Sequence, residues 1–120
     1  MKAKDYLSQG FHIDRRLLAT VEVLSTLQRV CEFSSEPAQA RARQLLESGL
    51  ADFESLLDLK QDLARTIRQV DNLQHRLLLE MRYLQGQTWE EVRRALGCTK
   101  SRVFRLHKQA LQNVDRIRQQ

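Results

Sequence analysis

Apolar residues recur at alternating spacings of four and three through most of this chain, and only four glycines and one proline are present to break the pattern. A period near 3.6 puts such residues on one face of a helix, whereas no stretch alternates in the period-2 manner of a strand. The chain therefore reads as all-α. Tyr6, Gly10, Ile13, Leu17, Thr20, Leu24, Leu27 and Cys31 make a first stripe, which predicts a helix of about eight turns that Gly10 weakens locally. Phe33-Ser34-Ser35-Glu36-Pro37 interrupts the pattern, and Pro37 suits the first turn of a new helix, where its missing N–H has no partner to lose. Leu46, Gly49, Phe53, Leu56, Lys60, Leu63, Ile67 and Val70 then repeat the spacing. Two amphipathic helices on a short loop bury their stripes most simply against each other, as an antiparallel hairpin.

The hairpin predicted over residues 1–70 is an interaction or dimerisation arm. Leu7, Phe11, Leu18, Val21, Leu50, Leu57 and Leu59 fall outside or beside its stripes, so apolar surface is left over for a partner, including a second copy bound through the N-terminal helices. Asp71 or Asn72 can cap a third helix, which carries Leu73, Leu77, Met81 and Leu84 at helical spacing and ends at Gly86. This begins the second expected domain, residues 71–120.

Charge is unevenly spread. Residues 1–33 hold five basic and four acidic side chains, residues 34–71 five and seven, and residues 72–120 ten and four. A polyanion would meet the last third. The longest apolar run, Leu77-Leu78-Leu79, is far short of a membrane span, and the first residues lead into no signal-peptide core, so a cytoplasmic protein without a membrane partner is expected. Cys31 and Cys98 are isolated, and His12, His75 and His107 match no zinc or catalytic spacing. No metal, cofactor or catalytic residue is expected, because no nucleophile, base and oxyanion donor assemble.

The last third holds "TWEEVRRALGCTKSRVFRL", Thr88 to Leu106. Thr88 followed by Glu91 is a capping-box pattern; Trp89, Val92 and Leu96 form a short buried face; Gly97 stops the helix, and Thr99 caps the next one at once. A short helix, a glycine turn and a new cap are the grammar of a helix-turn-helix. On the second helix, at about 100° per residue, Leu106, Ala110, Val114 and Ile117 cluster about Val103, while Ser101, Arg105, Lys108 and Gln112 lie opposite. Lys100 starts that outward row and Arg102 flanks it. Its N-terminal half is the part expected to enter a major groove of double-stranded DNA, and Arg93 to Arg118 hold eight bases against the single acid Asp115.

"LLLEMRYLQGQTWEEVRRALGCTKSRVFRLHKQAL", Leu77 to Leu111, resembles the C-terminal region 4 of sigma-70-type factors. The shared pattern is a leucine-rich helix ending in Arg-Tyr, Thr-x-Glu-Glu-hydrophobic, Leu-Gly, a Ser/Thr cap and Val-x-x-hydrophobic-x-x-x-Ala-Leu. From "AKDYLSQ" through "LLDLKQDL" to "RLHKQAL", the chain is also similar to small phage- or prophage-encoded proteins of Gram-positive bacteria related to the RinA and ArpU type of late-transcription regulators. The resemblance implies a regulator that binds promoter DNA and contacts RNA polymerase. Carried over by position, it implies base readout by Lys100, Ser101 and Arg105, with Phe104 against a thymine methyl or the edge of the core. Phosphate or supporting roles fall to Thr88, Arg93, Arg94, Thr99, Arg102 and Lys108. Ser101 stands where sigma factors have an acidic residue, Arg105 where they have glutamine and Phe104 where they commonly have arginine, so their operator preference does not transfer. Arg93 replaces a small residue at the helix crossing, which requires either that its stem cross the joint or that the helices stand farther apart.

Three functions fit these residues: a sequence-specific transcriptional regulator, a helical adaptor that binds polymerase or another protein without reading DNA, and a packaging subunit of the small-terminase kind. Binding to a preferred duplex, sequence-blind binding and ring formation separate them.

Overall fold

The computed structural model describes residues 1–119, all helix and connecting turns with no strand among them. Its elements are α1 (Ala3–Ser8), α2 (Ile13–Phe33), α3 (Glu36–Arg68), α4 (Leu73–Leu79, continuing as a π-helical turn over Glu80–Leu84), α5 (Trp89–Leu96) and α6 (Lys100–Arg118). Contacts group the chain into two compact units, one of Met1–His12 with the chain from Leu59 onward, the other of Ile13–Asp58. The division expected after residue 70 is thus not where contacts separate. Leu63, Ile67 and Val70 share a buried cluster with Tyr6, Leu7 and residues of α4, α5 and α6.

In the Ile13–Asp58 unit the predicted hairpin is present, with a turn of only Ser34-Ser35. Leu17, Leu24, Leu27, Leu46, Phe53 and Leu56 are all half-buried, as facing stripes require. Gly49 lies against Leu24, so close that an added Cβ would meet Leu24 Cδ2 at 2.7 Å. Nearer the turn, Cys31 Sγ approaches the Gln39 carbonyl at 4.0 Å. Residue numbers that rise on one helix as they fall on the other mark an antiparallel pair.

The first stripe, however, is not one helix. The chain leaves helix after Ser8 and re-enters it at Ile13, passing His12 at φ 58°. Gly10 permits the break by close approach: a Cβ there would lie 2.8 Å from Leu63 Cδ1 and 2.9 Å from the Tyr83 carbonyl oxygen. A helix of six residues has no stability alone, and α1 is held by tertiary contacts. Ala3, Tyr6 and Leu7 are buried. The Ala3 amide donates to Asp115 Oδ1 (2.8 Å), Arg118 Nη1 donates to the Met1 carbonyl (2.9 Å), and the Arg118 guanidinium lies 3.9 Å over the Tyr6 ring. Tyr6 Oη in turn donates to Asp62 Oδ2 at 2.6 Å.

α4 buries a different face from the one its leucine spacing suggests. Leu73 and Leu77 are exposed, while His75, Leu78, Leu79 and Tyr83 are buried. Three consecutive leucines satisfy either register, and packing against α6 chooses between them; Asn113 Nδ2, on α6, donates to His75 Nδ1 at 2.8 Å. Asn72 caps the helix by accepting from the His75 amide (3.1 Å), and Arg76 Nε and Nη2 both donate to the Val70 carbonyl. The π-helical turn ends with a bond from the Gln85 amide to the Glu80 carbonyl (2.9 Å), then Gly86 at φ 69°. Beyond Tyr83, the hydroxyl is 2.7 Å from His107 Nε2, and the His107 ring meets Trp89 edge-on.

Two consequences can be measured. Gly10→Ala should destabilise the fold by about 1–3 kcal/mol, because a backbone oxygen cannot yield to the added methyl as a side chain would; an unchanged urea midpoint would show that the close approach is dispensable. His107 has its pKa pushed down from 6.5 to about 4, first by burial and then by the Lys4 and Arg82 charges. The unfolded chain takes up a proton in that window and the folded chain does not, so stability falls as pH falls from 6.5 towards about 4. Between pH 7 and 4.5 this group should cost about 2 kcal/mol, a loss that urea titration should find missing from His107→Gln.

Candidate nucleic-acid interface

The interface is built on a joint that the sequence specifies residue by residue. Thr88 begins α5 by accepting the Glu91 amide on Oγ1 (3.2 Å), with Glu90 and Glu91 in the first turn at the positive end of the helix. Gly97 ends it at φ 64°, ψ 35°, a conformation in which a β-carbon is strained. The Gly97 amide donates to the Arg94 carbonyl and the Cys98 amide to the Arg93 carbonyl, the paired bonds of a Schellman stop. Thr99 then caps α6 by accepting the Arg102 amide (3.2 Å).

Arg93, at the crossing, is held by its guanidinium. Its guanidinium folds back over the turn: Nη1 donates to the Cys98 carbonyl (3.2 Å), while Nε and Nη2 take the two oxygens of Glu90 at 3.1 and 2.6 Å. The charge thus stays at the surface, with the guanidinium tied to Glu90 and to the turn. Arg94 Nε also reaches Glu90 Oε1 (3.2 Å) but is otherwise exposed. The bond from Arg93, with the charges of Arg93 and Arg94, holds the Glu90 carboxyl below its ordinary value, and the bond to Glu90 and its charge hold Arg93 above its own.

Val103, Leu106, Ala110 and Val114 of α6 are buried, with Ile117 partly so, which is the face read from the spacing. Val92 of α5 is buried, while Trp89 and Leu96 pack half-buried at the margin. On the opposite side of α6, Ser101, Arg105, Lys108 and Gln112 are all exposed, as are Lys100 in its first turn and Arg102 on the flank. Thr88 and Thr99 are exposed but commit their hydroxyl oxygens to caps. Phe104 sits at the edge, its ring 5.5 Å from Trp89 and still 42% exposed.

Local spacing gave no sign of a cleft on this unit of about 270 Å³, lined by Lys4, Phe11, Arg82, Tyr83, Trp89, Phe104 and His107. Arg82 sits among its rings, 5.1 Å from the centroid of Phe11 and 4.8 Å from that of Trp89, and donates to the Gln87 carbonyl at 2.9 Å. Its Nε is buried without a partner. Lys4 and Phe11 join the cleft from the far end of the sequence, so nothing near the helix-turn-helix announced them. Among the described residues, no group of three or more His, Cys, Asp or Glu could hold a metal ion, and no helix is long and apolar enough to cross a membrane.

Residues 72–116 match the family model for sigma-70, region 4, a span that runs from the Asn72 cap of α4 into the last turn of α6. No curated protein and no solved structure matches the chain. The capped short helix, the Schellman turn and all but the last two residues of the half-buried, half-basic α6 lie inside that span, and together they make residues 72–116 a sigma-70 region 4-like helix-turn-helix, a DNA-binding type of module.

Proposed function

We propose that this protein is a sequence-specific transcriptional regulator that lays the N-terminal half of α6 in the major groove of promoter DNA. The observation that carries the reading is the exposed row of Ser101, Arg105 and Lys108, with Lys100 exposed at its start, directly behind which Val103 and Leu106 are locked in the core. A row of donors on a helix that cannot rotate is what base readout requires. Lys100, Ser101 and Arg105 read base edges, with Phe104 against a thymine methyl at the margin. Arg94, Arg102 and Lys108 hold phosphates, and Thr88 and Thr99 fix the helix ends. Arg93 supports the joint, a role favoured by its bonds to Glu90 and to the Cys98 carbonyl.

The finer assignment is promoter control of the phage or prophage late-gene type, with RNA polymerase as a protein partner. Its support is the resemblance of the sequence motifs to that group, together with the region 4 match over residues 72–116. In this reading residues 71–120 are the DNA-binding domain and the arm first drawn over residues 1–70 is the hairpin Ile13–Asp58, since Met1–His12 and Leu59–Val70 supply core to the other unit.

Selection of bound fragments from random duplex DNA should yield a preferred sequence; sequence-blind binding at every salt concentration would overturn the reading. Arg105→Ala should lose about 5- to 150-fold in affinity for that sequence, equivalent to 1–3 kcal/mol, and relax the preference at one base position. Arg94→Ala and Arg102→Ala should weaken all duplexes alike and flatten the salt dependence by roughly one unit of slope each. Identical behaviour of the two groups in a fluorescence-anisotropy titration would refute the division of labour.

A further inference from the structure

The hairpin Ile13–Asp58 is poor in buried surface. Among its described residues only Ile13 and Ala42 are buried, and the leucines of the facing stripes remain partly open to solvent. Outside the seam, Val23 and Leu45 are exposed on one side, and on the other Leu18 is 67% exposed, Val21 43%, Leu50 46% and Leu57 37%, so that the second group is the larger. At about 100° per residue, these four fall on one side of the antiparallel pair, Leu18 and Val21 from α2 beside Leu50 and Leu57 from α3. A two-helix element of this size has no closed core, and the commonest way to close one is to pair two hairpins into a four-helix bundle.

Charge along the hairpin identifies the occupant. The turn end carries Arg29, Arg41 and Arg43 with Glu32 and Glu36, and the open end carries Asp14, Glu22, Glu47, Asp52, Glu54 and Asp58 with only Arg15 and Arg16 against them. One end is net basic and the other strongly acidic. A second copy laid antiparallel sets the basic end on the acidic end twice, by symmetry, whereas a parallel copy sets acid on acid. With a rise of about 1.5 Å per residue, Val21 and Leu50 both lie roughly 20 Å from the Ser34-Ser35 turn, Arg43 about 13 Å and Glu54 about 29 Å. Arg43 and Glu54 also fall on the side of Leu50. A two-fold axis level with Val21 and Leu50 therefore stacks Leu18, Val21 and Leu50 on their counterparts and brings Arg43 level with the partner's Glu54.

We infer that the protein is a homodimer in which two Ile13–Asp58 hairpins pair antiparallel as a four-helix bundle, through the side that carries Leu18, Val21 and Leu50. This goes beyond the DNA-binding reading and does not rest on it.

Sedimentation equilibrium of the full chain tests the inference. The expected mass is twice the 14.1 kDa of one chain, and Leu50→Asp should reduce it to that of a monomer. Arg43→Glu and Glu54→Arg should each raise the dimer dissociation constant by about tenfold, and the double variant should restore it, because the pair is re-formed with its signs exchanged. A monomer at 100 μM (roughly a hundredfold above a micromolar Kd), a larger closed ring, or a charge swap that fails to rescue would each overturn the two-fold arrangement; rescue also shows that the single variants folded. Loss of sequence preference in DNA binding with the dimer intact would overturn the proposed function and leave this inference standing.

Discussion

The buried face of α6 is the constraint on which the rest of the DNA-binding unit depends. Val103, Leu106, Ala110 and Val114 are the side chains against which α1, α4 and α5 find their places. Their burial stops α6 from turning about its axis, and because a helix has only two sides to divide, it also determines that Ser101, Arg105 and Lys108 face water. The buried and the exposed row are thus one decision: a substitution that rotated the first would move the second with it.

Local hydrogen bonding and long-range packing contribute differently. The ends of α5 and the start of α6 are set by short-range bonds, at Thr88, Gly97 and Thr99, each within a few residues of its partner. Arg93 adds a clasp of the same range, tying Glu90 to the Cys98 carbonyl across the turn. α1, by contrast, exists because of residues more than fifty positions away: Tyr6 meets Asp62 and Thr66, and the Ala3 amide meets Asp115. The first residues of the chain are in this way structural parts of the unit that carries the helix-turn-helix.

The two units also divide charge. Ile13–Asp58 is acidic on balance, and the unit built from Met1–His12 and the chain from Leu59 is strongly basic. Such a separation concentrates positive charge on the unit that holds the helix-turn-helix, and a field of that sign speeds encounter with a polyanion. It leaves the hairpin free for contacts of another chemistry.

Read without the fold, the chain already dictates what depends on near neighbours: helix through most of its length, the hairpin turn after Phe33, a cap at Asp71 or Asn72, the caps at Thr88 and Thr99, the left-handed Gly97, and both sides of α6. These features follow from periodicity and from bonds spanning at most a few residues, which are written in order along the chain. Tertiary structure alone decided the break at Gly10, the buried register of α4 and the cleft that joins Lys4 and Phe11 to Trp89. Gly10 in an apolar stripe looks like a weak helix position until Leu63 and the Tyr83 carbonyl arrive beside it, and Leu77-Leu78-Leu79 offers two equivalent faces until α6 selects one. Those choices are made by the shape of surfaces distant in sequence, and no local spacing carries that information.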